Sequence, residues 1–302
     1  HVSDAAKSLQ PGTSSSENLL HLHHHNAIMA VETATGEEAV QEMEMEMGTH
    51  ETPLESTWQH RVWVAAAAAA VAGLMTKALA AAGSGLNPVA EILPGTAAAC
   101  VAGYLSADLA TGIYHWAIDN YGDARTPVFG PQIDAFQGHH KRPWTITKRQ
   151  VANNLHGLAR PATLALLPFL LANDAQIPGP VDAYVASFTA FVVLCQQFHA
   201  WAHSKRSELP GLVVVLQEAG VLVSRKMHGA HHRKPFDRNY SIVSGVWNPI
   251  LDNSGFFRHA ERFIFARWGV TPRSWSSNGH DQWQQEGSYF SDGTDIDHQG
   301  GP

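Results

Sequence analysis

Cysteine is nearly absent from this chain. Only Cys100 and Cys195 occur in 302 residues. Both sit in apolar surroundings, which leaves no disulfide framework and suits a reducing compartment with buried thiols. Missing too is the HExxH pattern, in which a metalloprotease places its general base between two zinc ligands. No electron-carrier motif is present, so any reducing equivalents must come from outside the chain. The first 56 residues are poor in bases, with ten Asp/Glu against Lys7 alone, and they lack an apolar period. They read as a disordered acidic tail, and their acidity sets them apart from a transit peptide. The start at His1 reads as a processed or trimmed form. Residues 276–302 form a second polar tail, which leaves 57–275 as the folded domain.

What is abundant is apolar sequence. Four segments compete for a bilayer: Val62 to Ala82, about Ile92 to Ile113, Leu158 to Ala172 and Pro180 to Phe198. A helix needs about 20 apolar residues to cross the hydrocarbon core. The expected fold is therefore an all-α integral membrane protein with about four transmembrane helices. Buried helices of a soluble all-α protein are the alternative. If all four segments span, every Lys and Arg except Lys77 falls on the side of the N-terminus, a strong positive-inside asymmetry. That side is then cytoplasmic or, in an organelle, stromal or matrix. The opposite connection, "NDAQIPGPVD", has acids and no bases. Leu209 to Ser224 is too short and too interrupted by Gln217 and Glu218 to span, and is expected to lie in the interface. Trp116, Trp144, Trp201 and Trp247 are expected as interface anchors.

On this topology nine histidines emerge on one face. "YHWAID" places His115 and Asp119 at i, i+4 and so on one side of a helix. "FHAWAH" does the same for His199 and His203, and "MHGAHH" sets His228, His231 and His232 at i, i+3, i+4. "QGHH" adds His139 and His140, and "NNLH" adds His156. Any one pair is weak, but nine His and one Asp exceed a single tetrahedral zinc site and suit two metals in a His-rich cap. Imidazole with some carboxylate favours non-haem iron, with Zn and Mn still open. Bis-His haem would leave most of these residues unexplained, and a metal transporter would place its ligands near the bilayer midplane. A His-rich membrane protein that binds metal without redox chemistry also stays open.

The segments "DLATGIYHWAIDNYGD", "QGHHKRPWTIT", "NNLHG", "QQFHAWAH", "LVSRKMHGAHH", "NYSIVSGVWN" and "GVTPRSW" carry a resemblance. Across about Ser56 to Trp275 the chain resembles the plant plastid palmitate Δ3-trans desaturases. It is more distantly similar to the plasmanylethanolamine desaturases of the Kua group. The resemblance implies an O2-dependent, membrane-embedded di-iron desaturase acting on palmitate esterified to phosphatidylglycerol, with two Fe ions as cofactor and ferredoxin as electron donor. It implies a chloroplast membrane, thylakoid or inner envelope, with the catalytic face towards the stroma. Carried over by motif, the metal ligands are His115, His139, His140, His199, His203, His228, His231 and His232, with His156 added. Asp119 serves as a ligand or as a partner that fixes an imidazole tautomer. Arg225, Lys226, Arg233 and Lys234 set topology and are expected to attract an anionic headgroup. An ether phospholipid is the alternative substrate, and hydroxylation is a chemically close alternative outcome. No nucleic-acid partner is expected.

Overall fold

The computed structural model describes residues 54–82, 88–172 and 177–275. The two expected tails, apart from residues 54–56, and part of the "NDAQIPGPVD" connection lie outside these. Among the described residues all regular structure is helical. Ten α-helices are α1 (Trp58–Ala82), α2 (Pro88–Asn120), α3 (Gly130–Lys141), α4 (Thr145–Lys148), α5 (Val151–Leu171), α6 (Gly179–His203), α7 (Gly211–Glu218), α8 (Arg225–His231), α9 (Asn248–Asn253) and α10 (Phe256–Trp268). Two 3-10 turns, Arg206–Glu208 and Arg273–Trp275, complete the set.

Three stretches are long and apolar enough to cross a membrane: Trp58–Ala81, Pro94–Asn120 and Gly179–His203. The remaining expected segment, Leu158 to Ala172, falls in a 21-residue helix, α5. Its first half carries Asn153, Asn154, His156 and Arg160, so composition alone does not mark it as a span. Packing brings it alongside α1. At one end the Asn153 amide donates to Ser56 Oγ (3.0 Å) and the Ser56 amide donates to Gln150 Oε1 (2.9 Å). At the other end Lys77 Nζ donates to the carbonyls of Phe169 (2.7 Å) and Ala172 (3.0 Å). The two helices therefore run in the same direction over the same height.

Lys77 also lies 3.7 Å from Asp182 in the first turn of α6, so α6 starts where α1 and α5 end and runs back the other way. Alongside α6, α2 runs parallel. Gly103 makes their close approach possible, since a Cβ there would sit 2.7 Å from the Tyr184 carbonyl oxygen. The result is a four-helix bundle in which α2 and α6 finish at the same end.

Both helices continue past their apolar runs. α2 extends seven residues beyond Ile113 and α6 five beyond Phe198. Those extensions carry His115, Asp119, His199 and His203, so the first four site residues stand on uninterrupted helix. The remaining chain caps this end. α7 is eight residues long and leaves Leu212 and Val215 exposed, as expected for a helix too short to span.

Candidate metal centre

Nine of the ten residues singled out in the sequence converge in two adjacent groups, all of them buried. The first group is His139, His199, His203, His228 and His232; the second is His115, Asp119, His140 and His231. In the first, His203 Nε2 lies 2.9 Å from Nε2 of His139, 3.2 Å from that of His199 and 2.8 Å from that of His228. His232 Nε2 lies 3.1 Å from His228 Nε2. In the second, Asp119 Oδ2 is the hub, 3.2 Å from His115 Nε2, 3.0 Å from His140 Nε2 and 3.3 Å from His231 Nε2.

The two His-His doublets connect the groups. Consecutive helical residues point about 100° apart, because 3.6 residues make one turn. His139 thus serves the first group while His140, at the end of α3, serves the second. His231 and His232 divide in the same way at the end of α8. A lone imidazole at either position would complete only one group.

The protonation pattern favours a cation. His115 Nδ1 lies 2.9 Å from the Tyr240 carbonyl and His231 Nδ1 lies 2.8 Å from the Arg238 carbonyl. A carbonyl can only accept, so in each ring Nδ1 carries the proton and Nε2 presents its lone pair. Those lone pairs face a carboxylate oxygen, an arrangement that repels itself unless a positive charge sits among them. In the cap, burial holds His139, His228 and His232 well below their ordinary pKa. Burial, followed by repulsion from His115, takes His231 down to about 4 despite Asp119. These rings are neutral near pH 7 and available as ligands.

The spacing fits a metal as well. With metal–nitrogen bonds of about 2.1 Å, ligands at right angles lie ~3.0 Å apart and tetrahedral ligands ~3.4 Å apart. The donor atoms of each group lie within 4.8 Å of one another, close enough to share one ion. The donors are imidazole and carboxylate with no thiolate, a set that suits iron or manganese as readily as zinc.

Residues beyond the ligand list hold this arrangement. Asp108, fully buried in α2, accepts through Oδ1 from the amides of Val243 (3.1 Å), Ser244 (2.8 Å) and Gly245 (2.9 Å). It thereby fixes the loop that presents the Tyr240 carbonyl to His115. Gly112 lets the same loop approach, since a Cβ there would collide with the Ser241 hydroxyl. Tyr240 is buried against both rings and donates its hydroxyl to the Phe236 carbonyl (2.9 Å). Arg273 donates to the Asp119 carbonyl (3.3 Å), and Asn120 accepts from the Ser274 amide (3.0 Å). None of these was singled out from sequence. One signal was visible: Asp108 is a charge inside an otherwise apolar segment, where an ionisable residue marks a functional position.

His156 does not join the centre. The first turns of α5 face α1, so its ring stacks on His60 with centroids 3.7 Å apart while Nδ1 meets the Asn153 carbonyl. Of the four basic residues expected at a headgroup, Lys226, Arg233 and Lys234 are exposed beside the centre. Arg225 instead turns inwards and donates to the His203 carbonyl (2.7 Å), capping α6. Two tryptophans expected as interface anchors are also otherwise engaged. Trp116 is buried with its indole on Glu261 (3.2 Å), and Trp247 donates to the Leu105 carbonyl (2.8 Å).

The lipid desaturase domain matches residues 104–275, more than half of the chain and all nine converging residues. The chain belongs to the lipid desaturase family. It is 50% identical over 231 residues to fatty acid desaturase 4, chloroplastic, of Arabidopsis thaliana, covering 76% of this chain and 68% of that protein. It is 48% identical over 234 residues to fatty acid desaturase 4-like 1, chloroplastic, of the same plant, covering 77% and 76%. With plasmanylethanolamine desaturase 1 of Mus musculus it shares 32% over 181 residues, covering 58% and 66%. No solved structure matches. As a member of this family the protein is an oxidoreductase that desaturates lipid chains, with a His-rich cluster able to bind metal.

Proposed function

We propose that this desaturase holds two iron ions in its paired groups and introduces a trans-Δ3 double bond into the palmitoyl chain of phosphatidylglycerol. We place it in a chloroplast membrane, thylakoid or inner envelope, with the metal end facing the stroma and a ferredoxin as electron donor. The observation that carries this reading is the pairing of an all-imidazole group with an Asp119-centred group at one end of a bundle of membrane-spanning length. Half-identity to a chloroplastic desaturase supports the compartment.

A saturated C–H bond is too inert for side-chain acid–base chemistry, so the reaction needs a redox-active group. Bound iron would supply the activation of O2. The chain's own part is to hold that iron and keep the site dry. His139, His199, His203, His228 and His232 would hold one ion, and His115, Asp119, His140 and His231 the other. Tyr240 and Arg238 keep the Nδ1 protons of His115 and His231 in place through their carbonyls, which leaves each Nε2 free to bind. Burial of all nine residues excludes bulk water. The exposed bases Lys226, Arg233 and Lys234 beside the centre favour an anionic headgroup there, at about 1 kcal/mol each. That would bring the carboxyl end of the acyl chain near the metals, as a double bond close to the ester requires.

Lipid analysis after expression in a host lacking trans-hexadecenoate tests the reading. The wild-type chain produces that acid in phosphatidylglycerol and His228→Ala does not. An ether-lipid substrate is the second reading, supported by the likeness to the mouse plasmanylethanolamine desaturase; a vinyl-ether product with unchanged phosphatidylglycerol would establish it instead.

A further inference from the structure

α10 takes no part in the metal centre, yet it exposes large apolar side chains. Phe256 and Phe263 are seven residues apart and so share one helical face; Phe263 is 65% exposed, and Trp268 at the helix end 60%. Arg258 and Arg262, four apart, occupy a second exposed face, and Arg267 lies over the Trp268 ring at 5.5 Å. Only the third face is buried, through Phe257 and Glu261.

That buried face fixes where the helix sits. Glu261 receives the indole N–H groups of Trp116 (3.2 Å) and Trp275 (2.7 Å) and the Ser274 hydroxyl (3.2 Å). Trp116 lies in the last turns of the α2 span, next to His115. α10 is therefore bolted at the height where that span ends, beside the second ligand group. Phe257 packs on Tyr240 (5.0 Å) and Trp116 (5.3 Å), which adds rigidity to the joint.

We propose that α10 lies flat in an anionic membrane surface, with Phe256, Phe263 and Trp268 among the upper acyl chains and Arg262 and Arg267 at the lipid phosphates. A helix that exposes aromatic rings beside long basic side chains, whose charged ends can reach past the rings to the phosphates, suits this layer, and Trp is enriched at bilayer interfaces. The charge favours an anionic rather than a zwitterionic surface. Through Glu261 and Trp116 the helix then sets the depth of the ligand groups below the headgroups. This inference rests on the reading of the bundle as membrane-spanning.

The full-length chain, with Cys100→Ala and Cys195→Ala as background, tests it in vesicles rich in phosphatidylglycerol. Single cysteines are introduced by Phe263→Cys, Arg262→Cys and, on the exposed flank of α2, Val101→Cys. Each is probed with an aqueous maleimide and, after attachment of a fluorophore, with lipids carrying a quencher near the headgroup or deep in the chain. Metal content is measured on every variant and is expected to be unchanged. Labelling of Phe263→Cys is expected to be about tenfold slower than that of Arg262→Cys, with quenching by the shallow lipid. Changing to zwitterionic lipid should raise its rate about fivefold for each engaged arginine. Equal aqueous labelling at 263 and 262, with Val101→Cys quenched by deep lipid, overturns the inference alone and leaves α10 to a protein partner. Failure of Val101→Cys to meet lipid overturns the membrane reading itself.

Discussion

The two ligand groups share a cap but are built differently. The first is five imidazoles with no carboxylate, and His199 and His228 find no hydrogen-bond partner for Nδ1 among the described residues. The second is organised around one carboxylate, and the chain braces it from outside: two backbone carbonyls fix imidazole tautomers, Arg273 holds the Asp119 carbonyl, and Asp108 pins the loop behind Tyr240. In the first group the corresponding brace is Arg225 on the His203 carbonyl (2.7 Å), so the second is the more heavily supported from outside. The supported group should therefore keep its metal more tightly, because outer partners commonly contribute 10–100-fold in affinity.

The sharpest way to break this contrast is Asp119→Ala. It removes the only carboxylate in either group and leaves the lone pairs of His115 and His231 without their anion. Desaturation is expected to disappear, and metal analysis should show loss at the second group with retention at the first. Loss of both ions together would mean that the groups are not separable. Asp108→Asn comes next. It touches no proposed ligand but disturbs three buried amide bonds, each worth about 1.5–3 kcal/mol to a charged acceptor. Thermal unfolding should fall by several degrees, and chelator titration should show the second group losing metal about tenfold more readily.

Acidity separates apo from loaded protein. His139, His228, His231 and His232 have pKa values lowered by burial, His231 from 6.5 to about 4. Between those values the unfolded chain binds more protons than the folded one, so stability falls as pH drops through that window. Metal-free protein should show this loss in thermal scans from pH 6.5 to pH 4, and metal should delay it. The smallest effect is expected for His156→Gln, because that ring stacks on His60 away from both groups. Metal content should be unchanged and activity within about twofold.

The side chains that converge were visible in the sequence, for a physical reason, although the contrast between the groups was not. His115 with Asp119, and His199 with His203, sit at i, i+4 on helices, and helical spacing fixes which side chains share a face. Which residues form which group was not visible, since that depends on α3 and α8 delivering adjacent histidines to different neighbours. The bracing was hidden for the same reason: Asp108 meets amides more than 130 positions away. The apolar stretch from Leu158 extends back to Val151 as helix α5, because its polar first turns pack against α1, where hydropathy carries no signal. His156 was included because its motif sits among the others, but the phase of α5 turns it towards His60 of α1.

The central claim is a site for two metals built from nine buried residues. Elemental analysis of the purified full-length protein tests it most directly. The account predicts about two iron ions per chain, a count that fits nine imidazole and carboxylate donors, falling to about one in Asp119→Ala. A single zinc ion per chain, unchanged by that substitution, would contradict it.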